Sequence, residues 1–342
     1  MNKEETKIMS YLSDNLGDGG SILEMSKDID KRYGPAYYSN IYTTAKKLEK
    51  KGVIAIEREG NSKLIRLNTE NPLSTYYISE IENYKNQKIS MSKEMLSSIL
   101  SFTQEFDIFS ICALEAEKYQ KINRLELLIL TKNRTKNHNQ NSALMRLLLK
   151  LEATYNIKID PIALTLDEFI KIMKTDELDI LKDLILNKNI LYNSDGFWEL
   201  IKRHQMDTRY KKLNKFPQDL TRGELAYNYS RLGYRLNENI KQTNKIAIEP
   251  TIFSMIINDE IRIKYGTFIL LYKNIDKINL AYLYYIYKRY DELGKLKGIL
   301  LSLTNLTDLK SNNEIKYYIN LISNKPDIYD NNMIERYLEL YD

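Results

Sequence analysis

Apolar residues recur every three or four positions through most of this chain of 342 residues, which is the spacing of one face of a helix. The clearest stripe is formed by Ile41, Ala45 and Leu48, at positions i, i+4 and i+7. Gly52 follows as a stop signal, and lysines crowd the preceding turns, as is typical of a helix C-terminus. The pattern therefore predicts a helix that ends just before Gly52.

Two further helices are predicted upstream of this one. Residues 4–14 carry apolar side chains on one face, and the glycine-rich stretch 17–20 then breaks the chain. Ser21 and Glu24 have the three-residue spacing of a capping box, which indicates where the second helix begins. The chain thus opens with three predicted helices.

A β-hairpin is predicted directly after the third helix. Two β-rich runs, 53–57 and 63–67, are joined by Glu59-Gly60-Asn61-Ser62, which has turn chemistry. Three helices followed by a hairpin resemble a winged helix-turn-helix domain, in which the third helix is the recognition helix and the hairpin is the wing. The resemblance covers residues 1–70 and implies that this unit reads duplex DNA.

The charge of this region favours nucleic acid as its partner. Between residues 31 and 67 there are nine Lys or Arg against three Glu. Hydrogen-bonding, aromatic and cationic side chains on the polar face of the helix can reach base edges and phosphates in a major groove. The alternatives are a solvated basic face, common near helix C-termini, and a winged helix that contacts protein. The candidate DNA contacts are Tyr37, Tyr38, Asn40, Tyr42, Thr43, Lys46 and Lys47 on the helix, with Arg58, Asn61 and Lys63 on the wing.

Beyond the hairpin the pattern divides the chain into three further regions. Residues 71–106 are predicted to be a linker followed by an amphipathic helix. Residues 107–204 alternate apolar runs of strand length with helical patterns, which is typical of an α/β or α+β domain. Residues 205–342 are predicted to be helical, with residues 267–272 as a candidate strand or buried helical turn. The predicted fold class is mainly α with α+β parts.

Two acidic residues lie on the second and third predicted strands of the middle region. Glu126 belongs to the run 125–130, and Asp160 to the run 158–164. The order of elements resembles the minimal nucleotidyltransferase domain of the polymerase-beta-like superfamily. That resemblance implies a Gly-Ser pair on the first strand, an Asp-x-Asp pair on the second and a third Asp on a later strand, where Asp160 stands.

The departures from that pattern concern the catalytic residues themselves. Ile111-Cys112 stands near the place of the Gly-Ser pair, and Arg124 occupies a position of the Asp-x-Asp pair. Two-metal phosphoryl transfer needs carboxylates clustered around the ions, and Arg124 puts a cation there instead. We therefore expect a scaffold without catalysis; in an active enzyme Glu126 and Asp160 would be the catalytic residues. The alternative is an unrelated α/β domain.

The C-terminal region carries a run of tyrosines, between residues 282 and 290. Such a stripe suits helix–helix packing or a dimer face, and less often the stacking of single-stranded bases. Because one winged helix offers a small reading surface, we expect a homodimer held by the C-terminal helices.

The composition limits the compartment and the class of protein to which this chain can belong. The formal net charge is a mild +5, and the single cysteine, Cys112, excludes disulfides within the chain and indicates a reducing compartment. There is no membrane-length apolar run, signal-peptide pattern, P-loop or GxGxxG, and two distant histidines do not make a zinc site. The sequence thus predicts a cytoplasmic duplex-DNA-binding transcription regulator without cofactor or metal. An active nucleotidyltransferase acting on protein or RNA and a protein-interaction module are the alternatives.

Overall fold

A computed structural model of the chain describes residues 1–89, 91–115, 123–132, 138–204, 217–234 and 240–341, with the backbone alone for 138–143 and 341. The described residues are mostly helical and include two small sheets. This agrees with the predicted mainly α class with α+β parts. The basic segment 205–215, which opens the predicted C-terminal region, lies outside the described residues.

The N-terminal unit is built of three helices and a three-stranded antiparallel sheet in the order β1-β3-β2. The predicted helices and hairpin are present, but β1 was missed because its sequence reads as a glycine-rich break. The close approach of the chain to β3 requires glycine there, since a Cβ on Gly19 would lie 3.1 Å from the Ile65 carbonyl oxygen. The elements are α1 (Lys3–Asp14), β1 (Asp18–Ser21), α2 (Ile22–Tyr33), α3 (Tyr38–Lys50), β2 (Ile54–Glu59) and β3 (Ser62–Leu67).

The predicted linker is one long helix, α4 (Pro72–Gln87). Asn71 caps it by accepting a hydrogen bond from the Leu73 amide, and proline is tolerated in its first turn. Tyr77, Ile78 and Ile81 are buried against α1 and its neighbours. This stretch is therefore packed helix rather than a loose connection, and it leads into the amphipathic helix α5 (Lys93–Glu105).

The second sheet has four strands in the order β6-β5-β4-β7, with β5 and β6 parallel and the other pairs antiparallel. Alternate residues of β4 and β5 enter two separate apolar cores, one on each face. Burial on both faces explains why these strands read as continuous apolar runs. The elements are β4 (Ile108–Leu114), β5 (Arg124–Thr131), α6 (His138–Tyr155), β6 (Lys158–Thr165), α7 (Leu166–Lys174), α8 (Ile180–Leu184), β7 (Lys188–Tyr192) and α9 (Ser194–Arg203).

The C-terminal region is helical wherever it is described. The candidate strand at 267–272 is part of helix α12, whose residues Thr267–Leu271 are buried, so the apolar run marks burial and not strand structure. The first α-helix described in this region ends at Arg231, after which Gly233 has a positive φ of 105°. The elements are α10 (Arg222–Arg231), α11 (Ile248–Ile256), α12 (Ile261–Lys273), α13 (Leu280–Arg289), α14 (Leu293–Leu306), α15 (Asn313–Leu321) and α16 (Asn331–Tyr341).

The larger of the two apolar cores connects the N-terminal unit, one face of the second sheet and the C-terminal helices. It extends from Ile8 in α1, through one face of the second sheet, to Leu338 in α16. Tyr282, Tyr285 and Tyr287 of α13 lie inside it and are fully buried. The tyrosines that the sequence offered to a dimer face therefore pack within the chain.

Candidate nucleic-acid interface and the acidic pair of the sheet

Helix α3 is divided sharply into a buried and an exposed face. Ile41, Ala45 and Leu48 have no exposed surface, as their spacing predicted. The buried stripe fixes the helix on the three-helix core and turns the opposite face to solvent. All ten candidate DNA contacts are exposed except Tyr42, which is partly buried. The structure thus brings the seven helical candidates together on α3 and its N-terminal end, with the other three on the adjoining hairpin.

Aromatic side chains stand at the N-terminal end of this face. Tyr37 is 72% exposed and Tyr38 is 48% exposed, unusually much for such large side chains. The rings of Tyr38 and Tyr42 stack with their centroids 6.1 Å apart. Exposed tyrosines such as Tyr37 and Tyr38 can donate and accept hydrogen bonds while their rings contact sugars or bases.

The hairpin is linked to the helix by one cation. Lys63 Nζ donates to the Tyr42 hydroxyl at 3.0 Å and lies 4.9 Å from the centroid of its ring. This hydrogen bond and the lysine charge lower the pKa of Tyr42. At the tip of the hairpin Gly60 has a positive φ of 58°, and Asn61 is exposed beside it. The wing candidates therefore extend from the same surface as the helix candidates.

The cations of this surface differ in whether they have hydrogen-bond or ion-pair partners within the chain. Lys46 Nζ bonds Glu49 at 2.6 Å, and Arg58 Nε bonds the Gly60 carbonyl oxygen at 3.3 Å. Within the described ranges, Lys47 has no ion-pair partner. Exposed contacts of this kind are weak, so phosphate can displace them. Lys47 is therefore the helix cation most available to a nucleic acid, and the exposed Lys63 is the hairpin cation held beside the helix by Tyr42.

The two acids of the middle sheet are neighbours. Glu126 and Asp160 are partners in the parallel register of β5 and β6, and both are buried. Their carboxylates are nevertheless occupied by cations. Asp160 accepts a short bond from Arg124 Nε and has Lys288 Nζ at 3.8 Å. No carboxylate of this pair faces an open cavity lined with further acids.

Glu126 is held by the last turn of α13. It accepts a hydrogen bond from the Tyr285 hydroxyl at 2.8 Å and forms an ion pair with Arg289. Arg289 also bonds Glu115 at 2.9 Å, while Lys288 Nζ donates to Glu152 at 2.9 Å. Sequence reasoning missed these partners because Arg289 lies 163 residues from Glu126. The only local signal was the Lys288-Arg289 pair that ends a buried helix.

The described part of the chain gives little support for a metal site, a cysteine nucleophile or a membrane-spanning helix. Among these residues no three His, Cys, Asp or Glu side chains are placed to hold a metal ion. Cys112 is buried, and burial raises the pKa of its thiol to about 12, which opposes a role as nucleophile. Across the described ranges no helix combines the length and the apolarity that a bilayer crossing requires.

Comparison with known proteins identifies no relative. No family model matches the chain, and neither curated proteins nor solved structures give a significant match.

Proposed function

We propose that this protein binds duplex DNA through α3 and the β2–β3 hairpin and acts as a transcription regulator. The observation that carries the proposal is the exposed face of α3. It combines Tyr37 and Tyr38 with Lys47 on a helix whose other face is fully buried. The aromatic side chains suit contact with bases, and the unpaired lysine suits contact with phosphates.

The arrangement of the first 67 residues supports assigning this unit to the winged helix-turn-helix class. The order helix, strand, helix, helix and hairpin brings the candidate recognition helix and the wing side by side. In that class the recognition helix enters the major groove. We assign the wing cation Lys63 to phosphate contact and the aromatic and amide side chains of α3 to the groove.

The remainder of the chain is assigned a supporting role in this proposal. The ion pairs of Glu126 and Asp160 argue for a nucleotidyltransferase-like scaffold that has lost catalysis. Metal ions that bridge phosphate oxygens need carboxylates free to coordinate them, and these two are neutralised by arginine and lysine. The scaffold then holds the DNA-binding unit and the C-terminal helices together.

Binding of the purified full chain to random-sequence duplex fragments tests the proposal. Lys47→Ala together with Lys63→Ala should weaken binding to every sequence and reduce the slope of log affinity against log salt by about 2, since each lost phosphate contact reduces it by about 1. Fluorescence anisotropy over a salt series measures both quantities.

Lys171→Ala together with Lys316→Ala is the matched control, because both lysines are exposed and lie on α7 and α15, away from the N-terminal unit. This variant should retain both the affinity and the salt slope. Equal losses in the two double variants, or no duplex binding by the unchanged chain, would contradict the proposal.

A further inference from the structure

A large cleft lies between the N-terminal unit and the second sheet. Its volume is 960 Å³, and it is lined by α1, the C-terminal ends of α2 and α4, and residues beside β7. Sites for small molecules in proteins have volumes of about 300–1,000 Å³. The cleft lies outside the exposed α3–hairpin face and involves neither Glu126 nor Asp160. It is therefore a separate candidate site.

The lining of the cleft is strongly cationic. Six Lys or Arg side chains line it, against two carboxylates, Asp14 and Glu115. Asp14 is already neutralised, because it accepts a hydrogen bond from Lys85 at 2.6 Å and another from the Tyr33 hydroxyl. Glu115 is paired with Arg289 at 2.9 Å. The excess positive charge of the lining is thus not balanced by its own acids.

Three cations of the lining are available to a ligand. In the part of the chain that the structure covers, Lys3 and Lys31 are exposed and have no ion-pair partner. Arg32 has only a long contact, 3.5 Å from its Nη1 to the side-chain oxygen of Asn187. A guanidinium beside two ammonium groups, drawn from α1 and the end of α2, suits the several oxygens of a phosphate chain.

The other lining cations already have partners: Lys7 pairs with Glu4 and Lys85 with Asp14, and Lys88 Nζ lies over the Tyr84 ring. The lining also includes aromatic and amide side chains. The rings of Tyr33 and Tyr84 contribute to it, and Asn187 and Asn189 add side-chain amides. Aromatic rings can stack on a base, and an amide can both donate to and accept from its edge. A cleft of this volume also exceeds what a phosphate ion by itself would fill.

We infer that this cleft binds a nucleotide, with its phosphates on Lys3, Lys31 and Arg32 and its base beside the tyrosines and asparagines. The inference does not depend on the proposed DNA-binding function. It concerns different residues, and its main test measures nucleotide binding in the absence of DNA.

Isothermal titration calorimetry of the full chain with ATP, GTP and inorganic pyrophosphate tests the inference at about 0.15 M salt. ATP or GTP should bind, and should bind more tightly than pyrophosphate because only the nucleotides carry a base. Lys31→Ala together with Arg32→Ala should weaken nucleotide binding at least about tenfold, since each removes charge-assisted hydrogen bonds. Asn187→Ala should weaken nucleotide binding more than pyrophosphate binding.

Lys171→Ala together with Lys316→Ala is again the matched control and should leave the affinity unchanged; circular dichroism checks that each variant is folded. Absence of nucleotide binding would overturn the inference, as would equal losses in the two double variants. Equal affinity for pyrophosphate and both nucleotides would overturn the assignment of a base site. If Lys31 and Arg32 affected duplex binding while no nucleotide bound, the cleft cations would belong to the DNA interface and the inference would fail.

Discussion

At the scale of single residues, buried ionisable groups hold distant segments of this chain together. Lys188 of β7 is fully buried, and its Nζ donates to the Ser13 carbonyl oxygen of α1 at 2.9 Å. Burial lowers the pKa of Lys188 to about 8. Burial acts in the opposite direction on the Glu82 carboxyl, but the charges of Lys85 and Lys188 outweigh it and lower the pKa of Glu82. These side chains connect α1 and α4 to the second sheet.

Glu249 makes stability depend on pH near neutrality. Burial raises its pKa to about 7 from 4.5, and the nearby Asp179 carboxylate adds to the effect. Because the folded state holds this proton more tightly than the unfolded chain, the stabilisation is complete below about pH 4.5 and is lost as pH rises through 7. Glu249→Gln keeps an acceptor for the Asn279 amide and removes the charge. We expect the variant to be more stable than the unchanged protein by up to about 3 kcal/mol at pH 8.

Urea unfolding of both proteins at pH 5 and pH 8 measures this difference. The advantage of Glu249→Gln should shrink markedly at pH 5, where most of the wild-type carboxyl is protonated in the folded state. Glu335→Gln, at an exposed position of α16, is the matched control and should show the same small effect at both pH values. An advantage of Glu249→Gln that is independent of pH would exclude the carboxyl as its cause.

At the scale of elements, α13 is the connection between the second sheet and the C-terminal helices. Its tyrosines enter the core, and its last turn neutralises acids of β5, β6 and α6. The Tyr282 hydroxyl also donates a hydrogen bond to Asp179, just before α8. It accepts a hydrogen bond from the Leu181 amide, within α8. The acids Glu126, Asp160 and Glu152 thus anchor this helix to the second sheet and α6.

Arg289→Met tests this structural role. It leaves the buried Glu126 and the partly buried Glu115 without their shared guanidinium, and breaking a buried pair in this way costs about 3–5 kcal/mol. Adding Glu126→Gln should recover part of that loss, because the uncompensated charge is removed. Urea unfolding of the single and double variants measures both effects.

Arg203→Met is the matched control for this series, since the Arg203–Glu199 pair is exposed and contributes about 0–1 kcal/mol. Equal stabilities of the two arginine variants would contradict an anchoring role for Arg289. Incorporation of labelled nucleotide by the unchanged protein with Mg²⁺, lost in Glu126→Gln, would contradict it as well and restore the nucleotidyltransferase alternative.

At the scale of the whole molecule, the continuous core changes how oligomerisation can be tested. The buried tyrosines of α13 favour packing within one chain over a dimer face. Deletion after Lys273 would remove part of that core and cause unfolding, so truncation cannot isolate a dimer contact. The expectation of a dimer rests on the proposed DNA-binding function, because a single recognition helix would offer a small reading surface.

Light scattering of the full chain, with and without a duplex selected for tight binding, tests the predicted homodimer. We expect two chains of 40.4 kDa on each duplex, with the bound half-sites about one helical turn apart, because two-fold symmetry doubles the contacts. A single chain per selected duplex at every protein concentration would contradict the prediction.

Local patterns determined much of the fold and the position of the candidate interface. The stripe of Ile41, Ala45 and Leu48 places α3 on its core because helical periodicity depends only on backbone geometry. The turn at Gly60-Asn61 predicts the hairpin for a similarly local reason, since glycine adopts positive φ without strain. The exposed face of α3 follows from the same periodicity.

Only the tertiary structure decided what the buried groups do. Nothing local distinguishes Glu126 as a metal ligand from Glu126 as the partner of Arg289, because the arginine is 163 residues away and arrives through packing of α13. Residues 267–272 likewise lie in a helix with 267–271 buried, although their apolar run by itself suits either structure. The cleft beside Arg32 also depends on the contact of separate units, because its cations come from α1, α2 and α4. Periodicity is a property of neighbouring residues, whereas charge pairing and cavities belong to residues that folding alone brings together.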